Sequence, residues 1–367
     1  MTDRLLEVME GDVKRAVNGL LREMLVSGRS TGVLALQEVV SGRSAFPVLV
    51  TDPEKLSCNP FAPVMPLSTA KVVSRMTRSG PLSRSVAVVL RPCELRALQE
   101  LVKLKQADLK NIVTISIECP GTFPLNTFSS LPSDMDATRA VLDGKGMDKL
   151  LRSACLACRD PVPMNADLVL GTFGLDTNKA LLVRAMTDAG EGLIKDLGLK
   201  EAGPLPDREK AIADVRASKE TYRAKLKERG SKVSGLEKVS EFFETCINCH
   251  NCMKNCPICY CRECLFESTV LDMEADRYVS KATSKGSVKT PTDTLLFHIT
   301  RFNHMILSCV ECGLCEQACP AGIPLMDIII PIAENAQGEF GYHPGKDPKE
   351  PLPMVVYRED EFEGIGE

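Results

Sequence analysis

The residues best equipped for chemistry are cysteines, and their spacing says which chemistry. Cys246, Cys249, Cys252 and Cys256-Pro257 form a C-x2-C-x2-C-x3-C-P run, and Cys309, Cys312, Cys315 and Cys319-Pro320 repeat it. Three thiolates so close in sequence can wrap one iron-sulfur cube, and in the bacterial two-cluster arrangement the fourth cysteine of each run ligates the other cube. The spacing therefore assigns one 4Fe-4S cluster to Cys246, Cys249, Cys252 and Cys319, and a second to Cys309, Cys312, Cys315 and Cys256. Structural zinc also takes four thiolates, but its ribbons pair two short knuckles and do not repeat three plus one.

Four more cysteines need elements to gather them. Val86-Ala-Val-Val-Leu90 and Ile112-Val-Thr-Ile-Ser-Ile117 are continuous β-branched runs of strand length, as are Pro47-Val-Leu-Val-Thr51, Leu168-Val-Leu170 and Leu181-Leu-Val183. Helical patterns alternate with them, over residues 4 to 26, from Ser68 or Thr69 to about Ser79, and from Arg91 to Lys105. This alternation predicts an α/β domain on a mostly parallel sheet covered on both faces. Ligands in such sheets collect at the carboxyl ends of the strands. Arg91 to Glu94, Glu118 to Gly121 and Gly171 to Gly174 fall there. Cys93, Cys119, Cys155 and Cys158 should converge at that edge, and a third 4Fe-4S cluster is expected on them. Inert buried thiols would suit an isolated cysteine, but not a pair spaced as Cys155 and Cys158 are.

Composition narrows the classes. The chain has 367 residues, enough for two or three domains, and 16 cysteines behind an N-terminus with no secretory pattern. Metal ligation in the cytoplasm is expected rather than a disulfide scaffold. No apolar run reaches membrane-spanning length, so any membrane association would come through a partner. A net charge of -4 and 5% aromatic residues argue against a nucleic-acid surface. Four histidines and the absence of a nucleophile elbow leave little for hydrolytic chemistry. No G-x-G-x-x-G or Walker loop is present.

Several segments together resemble a known family. These are Pro66-Leu-Ser-Thr-Ala-Lys-Val-Val-Ser-Arg75, Arg91-Pro-Cys-Glu-Leu-Arg-Ala-Leu98, Glu118-Cys119, and Cys155-Leu-Ala-Cys158 continuing to Gly171-Thr-Phe-Gly174. They are similar to the beta subunits of coenzyme F-420-type hydrogenases and formate dehydrogenases. Cys256-Pro-Ile-Cys-Tyr-Cys-Arg-Glu-Cys264 and Phe297-His-Ile-Thr-Arg-Phe-Asn-His-Met305 resemble the formate dehydrogenase branch. The resemblance covers about residues 47 to 330. It implies an electron-transfer flavoprotein subunit of an oxidoreductase complex, with FAD beside the N-terminal cluster. It also implies a catalytic partner of formate dehydrogenase or hydrogenase type, or a heterodisulfide reductase-like assembly, with substrate chemistry on that partner. A flavin would exchange paired for single electrons. Ser68, Thr69, Lys71, Arg91, Arg96, Gly171 and Thr172 are its candidate contacts, being at expected helix starts and strand ends. The competing readings are a flavin-free iron-sulfur conduit and an iron-sulfur sensor or scaffold.

The expected organisation is an α/β domain over 1–202, a charged helical linker over 203–240, a dicluster ferredoxin-like domain over 241–335 that is small, helical and loop-rich, and an extended acidic tail over 336–367. Asp207 should cap the linker helix, which runs to about Glu228, and its Lys, Arg and Glu residues read as a solvated face on a tether. Between the motifs, Cys259, Cys261 and Cys264 read as alternate ligands, part of a fourth metal site, or spare thiols. Residues 268–290 read as a polar surface excursion. Thr294 to Leu307 reads as a helix burying Leu295, Ile299, Phe302 and Ile306. His298 and His304 read as packed or surface residues, and His250 as a hydrogen-bonding neighbour of a cluster sulfur.

Overall fold

A computed structural model describes residues 2–356 apart from Val40, Arg43, Ser133 and residues 145–147. The last stretch of the expected acidic tail, 357–367, lies outside the described residues. The chain opens with β1 (Thr2–Glu7), α1 (Val13–Val26), β2 (Gly32–Glu38), β3 (Ala45–Val50), α2 (Thr69–Met76), β4 (Val86–Leu90), α3 (Pro92–Lys103) and β5 (Ile112–Ile117). It continues through α4 (Leu125–Ser129), α5 (Ala137–Leu142), α6 (Ser153–Leu156), β6 (Leu168–Gly171), β7 (Ala180–Ala185), α7 (Asp188–Ile194) and β8 (Lys200–Glu201). The second half holds α8 (Pro206–Ser231), α9 (Gly235–Phe242), α10 (Asn251–Asn255), α11 (Ala275–Lys285), α12 (Thr294–Met305), α13 (Leu314–Gln317) and α14 (Leu325–Glu339).

The eight strands form one sheet in the order β3-β2-β4-β5-β6-β7-β1-β8. Its middle, β2-β4-β5-β6, is parallel, and antiparallel strands flank it on both sides. The α/β architecture stands, but the sheet is mixed where a mostly parallel one was expected. The difference lies at the flanks, where β3 runs against β2 and where β7, β1 and β8 alternate in direction beyond β6. Residues 2–7 continue the apolar spacing of the following helix yet pair with β7, and α1 begins only where Asp12 caps it. Residues 32–38, which lie between the expected first helix and the strand at Pro47 and carry no assignment from the sequence, form β2.

The side-chain period of two sends Val86, Val88 and Leu90 of β4 to one face and Ala87 and Val89 to the other. α1 covers the second face, with Val17, Leu21 and Met24 fully buried. The first face packs on α2 and α3, and its apolar core runs on into Met253, Phe297, Met305, Ile329 and other residues of the ferredoxin-like half. One continuous core therefore joins the two halves.

The 203–240 segment takes part in that join. α8 lies along α14 so closely that a Cβ on Gly230 would stand 2.0 Å from the Asp327 carbonyl oxygen. Arg208, Lys219 and Arg223, expected on a solvated face, are buried. Arg223 donates to both carboxylate oxygens of Glu311 at 2.6 and 2.8 Å, and Arg229 does the same to Asp327 at 2.8 and 2.7 Å. A helix with four such ties is a wedge, not a free tether. Beyond Gly338 the chain also stays attached: Tyr342 Oη donates to Glu100, and the Gly345 amide donates to the same carboxylate oxygen at 2.8 Å. Among the described residues no helix is long and apolar enough to cross a membrane.

Candidate metal centres

The two cysteine motifs share a backbone device. In each, the residue before the second cysteine and the residue after it take left-handed φ: Asn248 at 53° and His250 at 59° in the first, Glu311 at 56° and Gly313 at 68° in the second. Left-handed geometry costs a non-glycine residue on the order of 1 kcal/mol or more. Alternating hands turn successive N–H groups inward, which makes a concavity suited to anions. The Asn248 amide donates to Cys246 Sγ at 3.4 Å, and the matching Glu311 amide reaches Cys309. Gly313 has a second reason to be glycine, since a Cβ there would stand 2.3 Å from Ala154 Cβ, one residue before Cys155.

Each motif closes on the other. Cys246, Cys249 and Cys252 line one cavity together with Cys319, and Cys309, Cys312 and Cys315 line another together with Cys256. Among the described residues no three potential ligands gather about a single ion; the cysteines stand around the rims of these spaces. Cys249 is exposed and Cys252 buried, whereas Cys256, Cys309 and Cys315 are all buried.

The donor set also carries charge in want of a counter-charge. Arg301 of α12 is buried, gives Nη2 to the Cys252 carbonyl at 3.3 Å, and has only the Cys315 and Cys259 sulfurs for its remaining nitrogens to face, with no oxygen acceptor on Nε or Nη1 among the described residues. The groups bearing on its charge are the sulfurs of Cys315, Cys256, Cys252 and Cys259. An unpaired buried guanidinium is costly. The thiolate-bound, anionic clusters expected here would balance it, so the residues present fit them.

The third quartet comes together at the carboxyl ends of β4 and β5. The Cys119 amide donates to Pro161 O at 2.9 Å, and Cys93 lies within electrostatic reach of Cys119, Cys158 and Cys312. Arg152 donates through Nη2 to Cys155 Sγ at 3.4 Å and through Nε to Thr122 Oγ1 at 2.8 Å, while its buried Nη1 has no hydrogen-bond partner among the described residues. Burial pushes the Cys155 thiol up, but the Arg152 charge and the Thr122 hydrogen bond outweigh it and bring the group down to about 7. At Cys158 burial wins and lifts the thiol to about 11.

Cys259, Cys261 and Cys264 do not assemble a site. Cys259 hydrogen-bonds Cys256, holding that thiol well below its ordinary value, Cys264 Sγ faces Met253 Sδ at 3.7 Å, and Cys261 is exposed. The histidine expected beside a sulfur is also a different one. His250 stacks on Phe297 at 4.4 Å between centroids, and His298 puts Nε2 3.3 Å from Cys246 Sγ. α12 buries Phe297, His298, Arg301, Phe302 and Met305, and Ile306 just beyond it is buried; of the expected apolar face Phe302 and Ile306 stand, Ile299 is half exposed, and polar His298 and Arg301 share the inner face. Leu295 packs partly buried at the margin of that face.

Most of the seven flavin candidates are engaged within the chain, whereas the buried Ser68 hydroxyl and Arg96 Nε have no hydrogen-bond partner among the described residues. Glu94 accepts from the Thr69 and Arg91 amides, as a cap for two helix starts, and Ser68 lies buried beside them. Lys71 donates to the carbonyls of Lys254 and Cys256, which pins α2 to the first motif. Arg91 holds the Ala62 and Val64 carbonyls and points Nη1 at Cys119 Sγ, 3.9 Å away. Arg96 pairs with Asp160 at 3.2 Å and donates to Val310 O at 2.8 Å. A Cβ on Gly171 would meet Leu182, and the Thr172 amide donates to Glu118, itself paired with Arg208. None of the seven lines either cysteine cavity.

A model for the 4Fe-4S dicluster domain matches residues 242–323. The F420-dependent formate dehydrogenase subunit beta of Methanocaldococcus jannaschii is 26% identical across 90% of this chain and 92% of its own length. The F420-dependent formate dehydrogenase 1 subunit beta of Methanococcus maripaludis is 29% identical across 93% of each. The chain is an iron-sulfur oxidoreductase subunit. The resemblance expected from the motifs is borne out along nine-tenths of its length. Among solved structures, one chain of the F420-reducing NiFe hydrogenase complex from Methanosarcina barkeri overlaps 65% of this chain and 94% of its own at 15% identity, with a TM-score of 0.48.

Proposed function

We propose that this chain is the electron-transfer subunit of an oxidoreductase complex, with three 4Fe-4S clusters in series and substrate chemistry on a catalytic partner of formate dehydrogenase or hydrogenase type. The observation that carries the reading is the pair of cavities, each lined by three cysteines of one motif and the fourth of the other. Such clusters, when bound, take up and release single electrons. The chain's part is to space the quartets. Cys252 neighbours Cys315, and Cys93 neighbours Cys312, so the order runs from the first-motif quartet through the second to the N-terminal one. The buried, partly unpartnered Arg152 supports an anionic group at the N-terminal end. Sixteen free cysteines suit a reducing, cytoplasmic setting.

FAD remains the two-electron converter that the resemblance implies. Of the residues expected to hold it, Thr69, Lys71, Arg91 and Thr172 already make contacts within the chain, which favours the flavin-free conduit as the second reading, while the buried Ser68 hydroxyl has no hydrogen-bond partner among the described residues. Anaerobic purification with iron, sulfide and flavin quantitation separates the two: both require about twelve irons per chain, and only the first requires flavin. Cys158→Ala should lower iron by about four per chain and leave the ferredoxin-like pair intact. Full iron in that variant overturns the N-terminal assignment. Co-purification from the native source tests the catalytic partner and the wider link to heterodisulfide reductase-like subunits.

A further inference from the structure

α12 lies in the insertion between the two motifs and reaches both cysteine quartets with one face. Its N-terminal end is tied to the first motif by Asn248 Nδ2, which donates to Asp293 Oδ1 at 3.0 Å. From that anchor His298 and Arg301, three residues apart, point the same way along the helix. His298 reaches one quartet only, with Nε2 against Cys246 Sγ, and its ring is clamped flat on Phe243 at 3.8 Å between centroids. A ligating thiolate has no proton to give, so the imidazole must donate. Arg301 is placed differently. It gives Nη2 to the Cys252 carbonyl in the first quartet, reaches the Cys315 sulfur of the second and the neighbouring Cys259 sulfur, and lies beside Cys256.

We propose that Arg301 is a shared positioning charge that raises the reduction potentials of both ferredoxin-like centres together, while His298 raises that of the first alone. The inference rests on the two-cluster reading above. Its physics is simple: a fixed positive charge in a dry interior favours the more negative, reduced form of whatever lies beside it. A hydrogen bond to one sulfur does the same for one centre. Because Arg301 serves both, it keeps the two potentials in step while their environments differ. The insertion helix thus sets a driving force as well as filling space.

Redox titration of the anaerobic full-length protein, followed by electron paramagnetic resonance and visible absorbance, tests this. Arg301→Gln should lower two midpoint potentials, and His298→Phe should lower one of the same two. His298→Gln, which keeps a donor, should restore part of that loss. If Arg301→Gln holds wild-type iron with both potentials unmoved, the proposal is wrong. Should Arg301→Gln lose iron, Arg301→Lys decides: iron retained with potentials nearer wild type supports a charge role, and iron lost again overturns it. A wild-type protein without eight or more irons per chain would instead remove the cluster reading beneath.

Discussion

Glu311→Gln puts the joint between the halves of the molecule to a quantitative test. Glu311 sits inside the second motif, and its carboxylate takes a two-pronged contact from Arg223, which is only 1% exposed. Removing one partner of a buried ion pair costs about 3–5 kcal/mol, because the other charge is left in the interior. Arg223 retains Glu334 at 3.4 Å from Nε, which places the cost near the lower bound, about 3 kcal/mol. That corresponds to roughly 150-fold in an equilibrium between closed and opened joint. The isosteric amide keeps the left-handed backbone at this position no worse off than before, so the effect reports the charge. In anaerobic urea, bleaching of the iron-sulfur absorbance should accelerate by up to that factor. Replacing both partners with apolar residues, as in Arg223→Met with Glu311→Leu, should recover most of the loss, since neither charge is then stranded. A Glu311→Gln protein that bleaches within threefold of wild type, or a double variant as fragile as the single one, would refute the argument.

Two further predictions concern residues outside the clusters. Cys58 is fully buried and desolvation lifts its thiol to about 11, so at pH 8 only about one molecule in a thousand carries the reactive thiolate. Alkylation mapped by mass spectrometry should therefore spare Cys58 in the native protein long after exposed Cys261 is labelled, and should rise with pH; equal rates at pH 8 would contradict the assignment. Gly230→Ala forces a methyl group into the Asp327 carbonyl, so α8 and α14 must separate, at about 1–3 kcal/mol. A thermal midpoint unchanged from wild type would show that the helices do not meet as described.

What the sequence could and could not announce follows from how far each signal reaches. β4 and β5 are buried on both faces, and an unbroken β-branched run is the local consequence, so both were legible to the residue. The cysteine runs were legible because the ligands of a small cube must be close in the chain. β1 was hidden since Leu5 and Val8 also fit the period of the helix that follows; only its pairing with β7, some 180 residues away, decides. α8 reads as a solvated charged helix because its partners, Glu311 and Asp327, are nearly 90 and 100 positions downstream. The flavin candidates rest on a signal that reaches no further than the local chain: helix starts and strand ends attract ligands, but Glu94 and Glu118 already accept from the amides of Thr69, Arg91 and Thr172. His298 and Arg301 could have been noticed as polar residues interrupting an apolar helix face. Their role needed the motif loops to be in place beside them.

The unequal burial of the quartets leads to a last expectation. The first-motif cavity reaches the surface at Cys249, beside Ile247 which is 62% exposed, whereas the second is walled by Ile258, Met305, Val310, Met326 and Ile329. Removal of iron by a chelator needs water and the chelator at the metal, so accessibility should order the losses. A membrane-impermeant iron chelator added anaerobically to the reduced protein should release about four irons in a first phase and the rest much more slowly. That fast phase should be missing from Cys319→Ala, which lacks a ligand of the outer site. Release in one phase would mean that the quartets are equally open, and a fast phase surviving in Cys319→Ala would place the exposed iron elsewhere. With clusters bound, the same exposure that makes the outer site vulnerable would bring its thiolates within reach of a redox partner at the surface, while the apolar wall around the inner one would keep water from it.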